Sequence, residues 1–275
     1  MLRNLKKTGK IIYDQAVKYK WSEKVNIINN NNYNNILKNG IIKLDNNFEK
    51  FSSYINKNYI EILLKEKNEK SSLKVLDVRN SNINNLINHY IGIDDDLVRE
   101  FIENDELTNV LNLLFKKKIY LRNDPLIQVL NTSEKMTNGN FHTDRFMQFS
   151  LMLLLEDVSE NQTHMEYCIK SQKRDFLDLI IHKNFKECEE HVKKHNFEIF
   201  KIVGKKGDAF LFNTTGIHRA KYIFNTKRSI FHLNFTNGHN LYPFKISFNK
   251  AKIKNEIYLR SGQNLKFTQG KWKFF

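Results

Sequence analysis

Residues able to do chemistry concentrate in two stretches of this chain. The first is Asn138-Gly139-Asn140-Phe141-His142-Thr143-Asp144-Arg145, where His142 and Asp144 stand two positions apart. On an extended segment such residues project to the same side, so an imidazole and a carboxylate can reach one ion. The second stretch, Gly207-Asp208-Ala209-Phe210-Leu211-Phe212-Asn213-Thr214-Thr215-Gly216-Ile217-His218, ends in another imidazole. Two histidines and one carboxylate bind a metal on one face and leave its other positions open, the donor set of non-haem Fe(II) oxygenases. Arg228 follows His218 by ten residues, and its planar fork suits a two-point grip on a carboxylate. A surface His–Asp pair would explain the tripeptide alone. Its company, an apolar strand ending in histidine and then an arginine one strand later, favours the metal reading.

That combination resembles the phytanoyl-CoA dioxygenase-like branch of the Fe(II)/2-oxoglutarate oxygenases. The motif residues are His142, Asp144, Gly207-Asp208, His218 and Arg228. The resemblance implies a double-stranded β-helix, a jelly-roll whose open end holds Fe(II) on His142, Asp144 and His218. It further implies 2-oxoglutarate as co-substrate with its distal carboxylate on Arg228, molecular oxygen as oxidant, and succinate and CO2 as products. Gln128 and Asn131, on the strand before the tripeptide, and Ser229, beside Arg228, are candidate co-substrate contacts, with Asn234 a further pocket residue. Related halogenases replace the carboxylate by a small residue so that chloride can bind; Asp144 therefore favours hydroxylation or a related oxidation over halogenation. The expected substrate is a small molecule, anionic ones included. One departure stands out. Relatives commonly carry Pro-Gly-Ser-His after the strand equivalent to Met165–Ile169, whereas this chain has Lys170-Ser171-Gln172.

The elements that must position these groups can be read in order. Residues 1–30 form a basic leader that could make a short amphipathic helix, ended by the run Asn29–Asn32. Residues 31–275 read as one oxygenase domain with a jelly-roll core over about 118–247. Before that core, Tyr33, Ile36 and Leu37 have helical spacing, Gly40 stops the helix, and Ile41–Leu44 reads as a strand. A helix follows from Phe48, and helical periods recur over Ile60–Leu64, Ile83–Ile91 and Leu97–Leu114, the last with a cap among Asp94, Asp95 and Asp96. Strand patterns cover Lys118–Leu121, Leu126–Leu130, Phe146–Leu155, His164–Ile169, Phe197–Val203, Ala209–Phe212 and Ser229–Phe235, with a helical insert over Asp175–His195. Many short strands with turns between them predict a mainly β barrel or sandwich buttressed by N-terminal helices.

Composition narrows the alternatives. The chain has 275 residues, 40% hydrophobic, and a net charge of +15. That length allows a sizeable core. The charge invites a nucleic-acid partner, yet the lysines are scattered and no arginine-rich or aromatic-interleaved basic block occurs, so none is expected. Cys168 and Cys188 make no CxxC pattern, and no apolar run is long enough to cross a bilayer. A cytoplasmic location is expected. Cys188, His191 and His195 share a helix side but lack a fourth ligand for structural zinc. Asp208 reads as a turn-holding residue, and His232, flanked by Phe231 and Leu233, as a strand residue that packs or hydrogen-bonds. A non-catalytic jelly-roll binding protein, or an oxygenase acting on nucleic acid, is the alternative function.

Overall fold

A computed structural model describes residues 30–61, 86–91, 96–115, 119–121, 125–132, 139–144, 148–172 and 185–236, with further strands at 244–246, 257–259, 265–268 and 271–274. The leader up to residue 29, Arg145, and the first part of the helical insert lie outside the described residues.

The chain begins with helices. Helix α1 (Asn31–Asn39) is capped by the Asn30 side chain, which accepts the Tyr33 N–H, and stops at Gly40 in the left-handed region. Only glycine enters that region at little cost. Strand β1 (Ile41–Lys43) and helix α2 (Glu49–Ile55) follow, α2 running on as a π-helical turn, Asn56–Ile60. The helix expected over Ile83–Ile91 is instead strand β2 (Leu86–Tyr90), paired with the strand Leu126–Asn131. Its apolar positions suit either period, and pairing with a neighbouring strand decides between them. The single helix expected over Leu97–Leu114 is two, α3 (Asp96–Ile102) and α4 (Asp105–Leu114). Asn104 makes the break, its side chain accepting the N–H groups of Glu106 and Leu107 and so starting a new helix.

Strands dominate thereafter: β3 (Ile119–Leu121), β4 (Leu126–Asn131), β5 (Phe149–Leu154), β6 (His164–Cys168), β7 (Ile199–Ile202), β8 (Ala209–Asn213), β9 (His218–Lys221) and β10 (Lys227–Thr236). Helix α5 (Phe185–His195) interrupts them after β6, and β11 (Phe244–Ile246), β12 (Ile257–Leu259), β13 (Leu265–Thr268) and β14 (Lys271–Phe274) complete the order. One large sheet runs β1-β8-β5-β10-β3-β12-β11, with β4 on β10 and β2 on β4. A smaller sheet runs β7-β6-β9, and β13 pairs with β14. The pairs are antiparallel apart from β12 with β3.

Alternation along the large sheet sends its side chains into two cores. Phe231, Leu233 and Phe235 of β10, Leu151 and Leu153 of β5 and Leu211 of β8 pack against α1 to α4. Phe101 of α3 anchors this layer, stacked on Phe51 at 4.5 Å between ring centres and edge-on to Phe231. The other parity, including Ile230, Met152, Leu154, Phe210 and Phe212, meets Met165, Tyr167 and Ile202 of the small sheet. Behind that sheet, α5 packs on Phe141, Cys168 and Ile217 through Cys188 and Val192. The result is a mainly β, jelly-roll sandwich of two sheets with helices outside, and β5 is buried along its whole length, as its apolar run required. No helix among the described residues is long and apolar enough to cross a membrane.

Candidate metal centre

The segment 139–144 lies antiparallel beside β9. The N–H of His142 donates to the carbonyl of His218 at 3.0 Å, and the N–H of His218 returns a bond to His142 at 2.9 Å. Residues paired in this way point their side chains to one face of the ladder, and the two rings lie 4.5 Å apart, centre to centre. A further bond, from the N–H of Asp144 to the carbonyl of Thr214, fixes the carboxylate end of the segment. One ligand atom from each of His142, Asp144 and His218 falls within 4.8 Å of the others, the one such group found among the described residues. Cys188, His191 and His195 form no such cluster; the rings of His191 and His195 simply pack together at 4.2 Å.

Both imidazoles are set for metal binding. Nδ1 of His142 faces the carbonyl of Asn140 at 2.9 Å, and Nδ1 of His218 faces that of Gly216 at 2.9 Å. A carbonyl can only accept, so each Nδ1 carries a proton, and Nε2 is the nitrogen of each ring left to bind a metal. Asp144 is held by Gln148, whose Nε2 donates to Oδ2 at 2.6 Å. Gly216 is needed for a second reason: a Cβ there would stand 1.9 Å from the hydroxyl oxygen of buried Tyr167. That hydroxyl donates to the carbonyl of Asn213, tying the strand end before His218 to the small sheet. Phe185, 58% exposed, stands edge-on to the His142 ring.

Arg228 lies on the inner face of β10, with Ile230. It is 5% exposed, and its Nη2 donates to Gln128 Oε1 at 2.8 Å from the neighbouring strand. Its Nε is buried without a hydrogen-bond partner, and no carboxylate among the described residues pairs with it. Burial holds its pKa below the usual value. A buried guanidinium without an anion is costly by several kcal/mol, and among the described residues no carboxylate offsets that cost at Arg228.

The other expected co-substrate contacts divide by parity. Asn131 and Ser229 fall on the alternation of Val129 and Phe231, facing the helical layer and away from Arg228 and Gln128. Asn234 shares the Arg228 parity and accepts from the hydroxyl of Ser150 on β5. Ser150 and Gln148 are the polar groups that sequence reasoning passed over, whereas His232, expected to pack or hydrogen-bond within its strand, does hydrogen-bond. His232 has the Arg228 parity too. Its Nε2 lies 3.2 Å from Ser150 Oγ. Burial pushes its pKa down to about 4, with Arg228 and His218 adding to the fall and Asp144 opposing it. Asp144, His218 and Arg228 are thus all close enough to His232 to act on its charge.

The altered loop keeps its anchor. Ser171 Oγ accepts the N–H of Ile217 at 2.7 Å and donates to the carbonyl of Cys168 at 2.6 Å, steadying the residue before His218. Gln172 donates to the carbonyls of Leu37 and Lys38 at the end of α1. Asp208 holds its turn as expected, accepting the Lys205 N–H at 2.8 Å and pairing with Lys43.

No protein-family model matches the sequence, and no curated protein does. Solved structures match by fold. EctD from S. alaskensis with 2-oxoglutarate and 5-hydroxyectoine is 16% identical, aligning 80% of this chain with 81% of its own at a TM-score of 0.56. The non-heme alpha ketoglutarate dependent carbocyclase SnoK from nogalamycin biosynthesis is 12% identical, over 78% of this chain and 85% of its own, at 0.53. The epimerase SnoN from the same biosynthesis is 9% identical, over 89% and 99%, at 0.53. The chain thus has the jelly-roll fold used by iron- and 2-oxoglutarate-dependent enzymes.

Proposed function

We propose that the protein is an Fe(II)- and 2-oxoglutarate-dependent dioxygenase that hydroxylates a small molecule, akin to the phytanoyl-CoA dioxygenase-like enzymes. The observation that carries this reading is the buried Arg228, lacking a carboxylate partner among the described residues and sharing one barrel interior with the His142–Asp144–His218 cluster. The donor set, two imidazoles and one carboxylate, fits Fe(II). The orphaned Nε of Arg228 fits the distal carboxylate of 2-oxoglutarate.

In this reading His142, Asp144 and His218 hold the iron, and Arg228 orients the co-substrate with Gln128 fixing the guanidinium. Bound iron with 2-oxoglutarate and oxygen supplies the oxidising chemistry, releasing succinate and CO2. His232 and the Ser150–Asn234 pair line the inner wall as neutral polar groups, and Phe212 and Ile230 beside them keep the deep end dry. Succinate formation from 2-oxoglutarate that requires both added Fe(II) and oxygen tests the proposal. A protein that binds Fe(II) and 2-oxoglutarate yet forms no succinate with any substrate offered would instead be a binding module.

A further inference from the structure

The geometry points to Gln148 as the positioning residue that fixes the metal-binding carboxylate of Asp144 as a one-oxygen ligand, an inference that rests on the metal centre proposed above. Three contacts support it. The Gln148 amide donates to Asp144 Oδ2 at 2.6 Å, so the carboxylate is gripped by a fixed donor while one of its oxygens lies within 4.8 Å of ligand atoms on both imidazoles. Gln148 is itself 4% exposed, so this hydrogen bond is sheltered from water and strong in consequence. Its backbone is locked as well: the carbonyl of Gln148 accepts both the N–H and the hydroxyl of Thr214, at 3.0 and 3.2 Å. Thr214 in turn accepts the N–H of Asp144 on its own carbonyl. Asp144, Gln148 and Thr214 therefore close a ring of hydrogen bonds in which the carboxylate has one orientation.

A carboxylate held through one oxygen occupies a single metal position, whereas a freely rotating one can take two. By fixing Asp144, Gln148 keeps the open side of the metal open. Partners of this kind alter metal affinity about 10–100-fold when removed.

The test titrates Fe(II) anaerobically, and Co(II) with its visible absorption, into the wild type, Gln148→Met and Gln172→Met. Gln172→Met is the matched control: it removes a buried amide whose own bonds go to the carbonyls of Leu37 and Lys38 and not to the carboxylate of Asp144. We expect Gln148→Met to bind Fe(II) 10–100-fold more weakly with altered Co(II) bands, and Gln172→Met to bind like the wild type. Affinity within twofold of wild type and an unchanged Co(II) spectrum for Gln148→Met would overturn the inference. Equal weakening by Gln172→Met would overturn it too, by showing a general loss of stability. A wild type that takes up no Fe(II) overturns the metal centre itself, and this inference with it. If Gln148→Met does not fold, the Zn(II)-loaded wild type decides: its Gln148 side-chain amide protons should exchange slowly, and free exchange would refute the role.

Discussion

Arg219 pairs with Glu166 across the outer face of the small sheet, Nε to Oε2 at 2.7 Å, and its guanidinium covers the Phe141 ring at 4.0 Å. The arginine directly after His218 is thus occupied on the side of β9 away from the barrel interior, whereas Arg228, among the described residues, is an arginine buried on the inner face. Arg228→Ala should weaken 2-oxoglutarate by about one to two orders of magnitude, the value of roughly 1.5–3 kcal/mol for a charged hydrogen bond. Arg228→Lys, which keeps the charge and loses the fork, should fall between. Arg219→Ala should leave co-substrate affinity unchanged. Calorimetry of 2-oxoglutarate binding to the metal-loaded variants checks both, and a larger effect at Arg219 would reverse the assignment.

His142→Ala and His218→Ala should each abolish Fe(II) binding and turnover while keeping the fold. Each removes one of the three residues proposed to hold the metal, and no other such group of His, Cys, Asp and Glu occurs among the described residues. Anaerobic Fe(II) calorimetry, with circular dichroism to show the fold, measures this; binding as tight as wild type in either variant would refute the centre.

Asp144 should keep the reaction to oxygenation. With the carboxylate in place and steadied by its amide donor, chloride has no vacated protein position to fill. Products formed in chloride buffer, read by mass spectrometry, should contain no chlorinated species.

His232 should make stability fall with acid. Its folded pKa, about 4, lies below the usual 6.5, so the unfolded chain takes up a proton first as pH drops. Stability is therefore full above about pH 6.5 and is lost between there and pH 4, by up to roughly 3 kcal/mol. Urea unfolding of metal-free wild type and His232→Leu at pH 7 and pH 4.5 should show the wild type losing more. Equal losses would count against a buried neutral imidazole.

Much of this architecture was legible because it obeys local periods. The continuous apolar run of β5, the Gly40 stop and the turn at Gly207-Asp208 follow from residue type alone, and the spacing of His142, Asp144 and His218 was enough to nominate the cluster. The misreadings have a common cause. Leu86–Tyr90 carries too short a pattern to separate strand from helix, and only the partner strand β4 resolves it. The break at Asn104 turned on a side chain finding two N–H donors. Which face Asn131 and Ser229 take is decided by strand register, which gives both the parity of Val129 and Phe231. Gln148 had no signal at all, since its role depends on a contact across the loop that carries Asp144.

Strand β10 writes two messages in alternate letters. Its odd positions, Phe231, Leu233 and Phe235, serve the helical layer, and its even ones, Arg228, Ile230, His232 and Asn234, face the barrel interior. Because neither set touches the other's surroundings, the interior can be rewritten for a new substrate at Asn234 or Ile230 with the helical core left undisturbed. A single-residue insertion before Arg228 would do the reverse, swapping the two readings and emptying both. The strand is tolerant of changed letters and intolerant of a shifted frame.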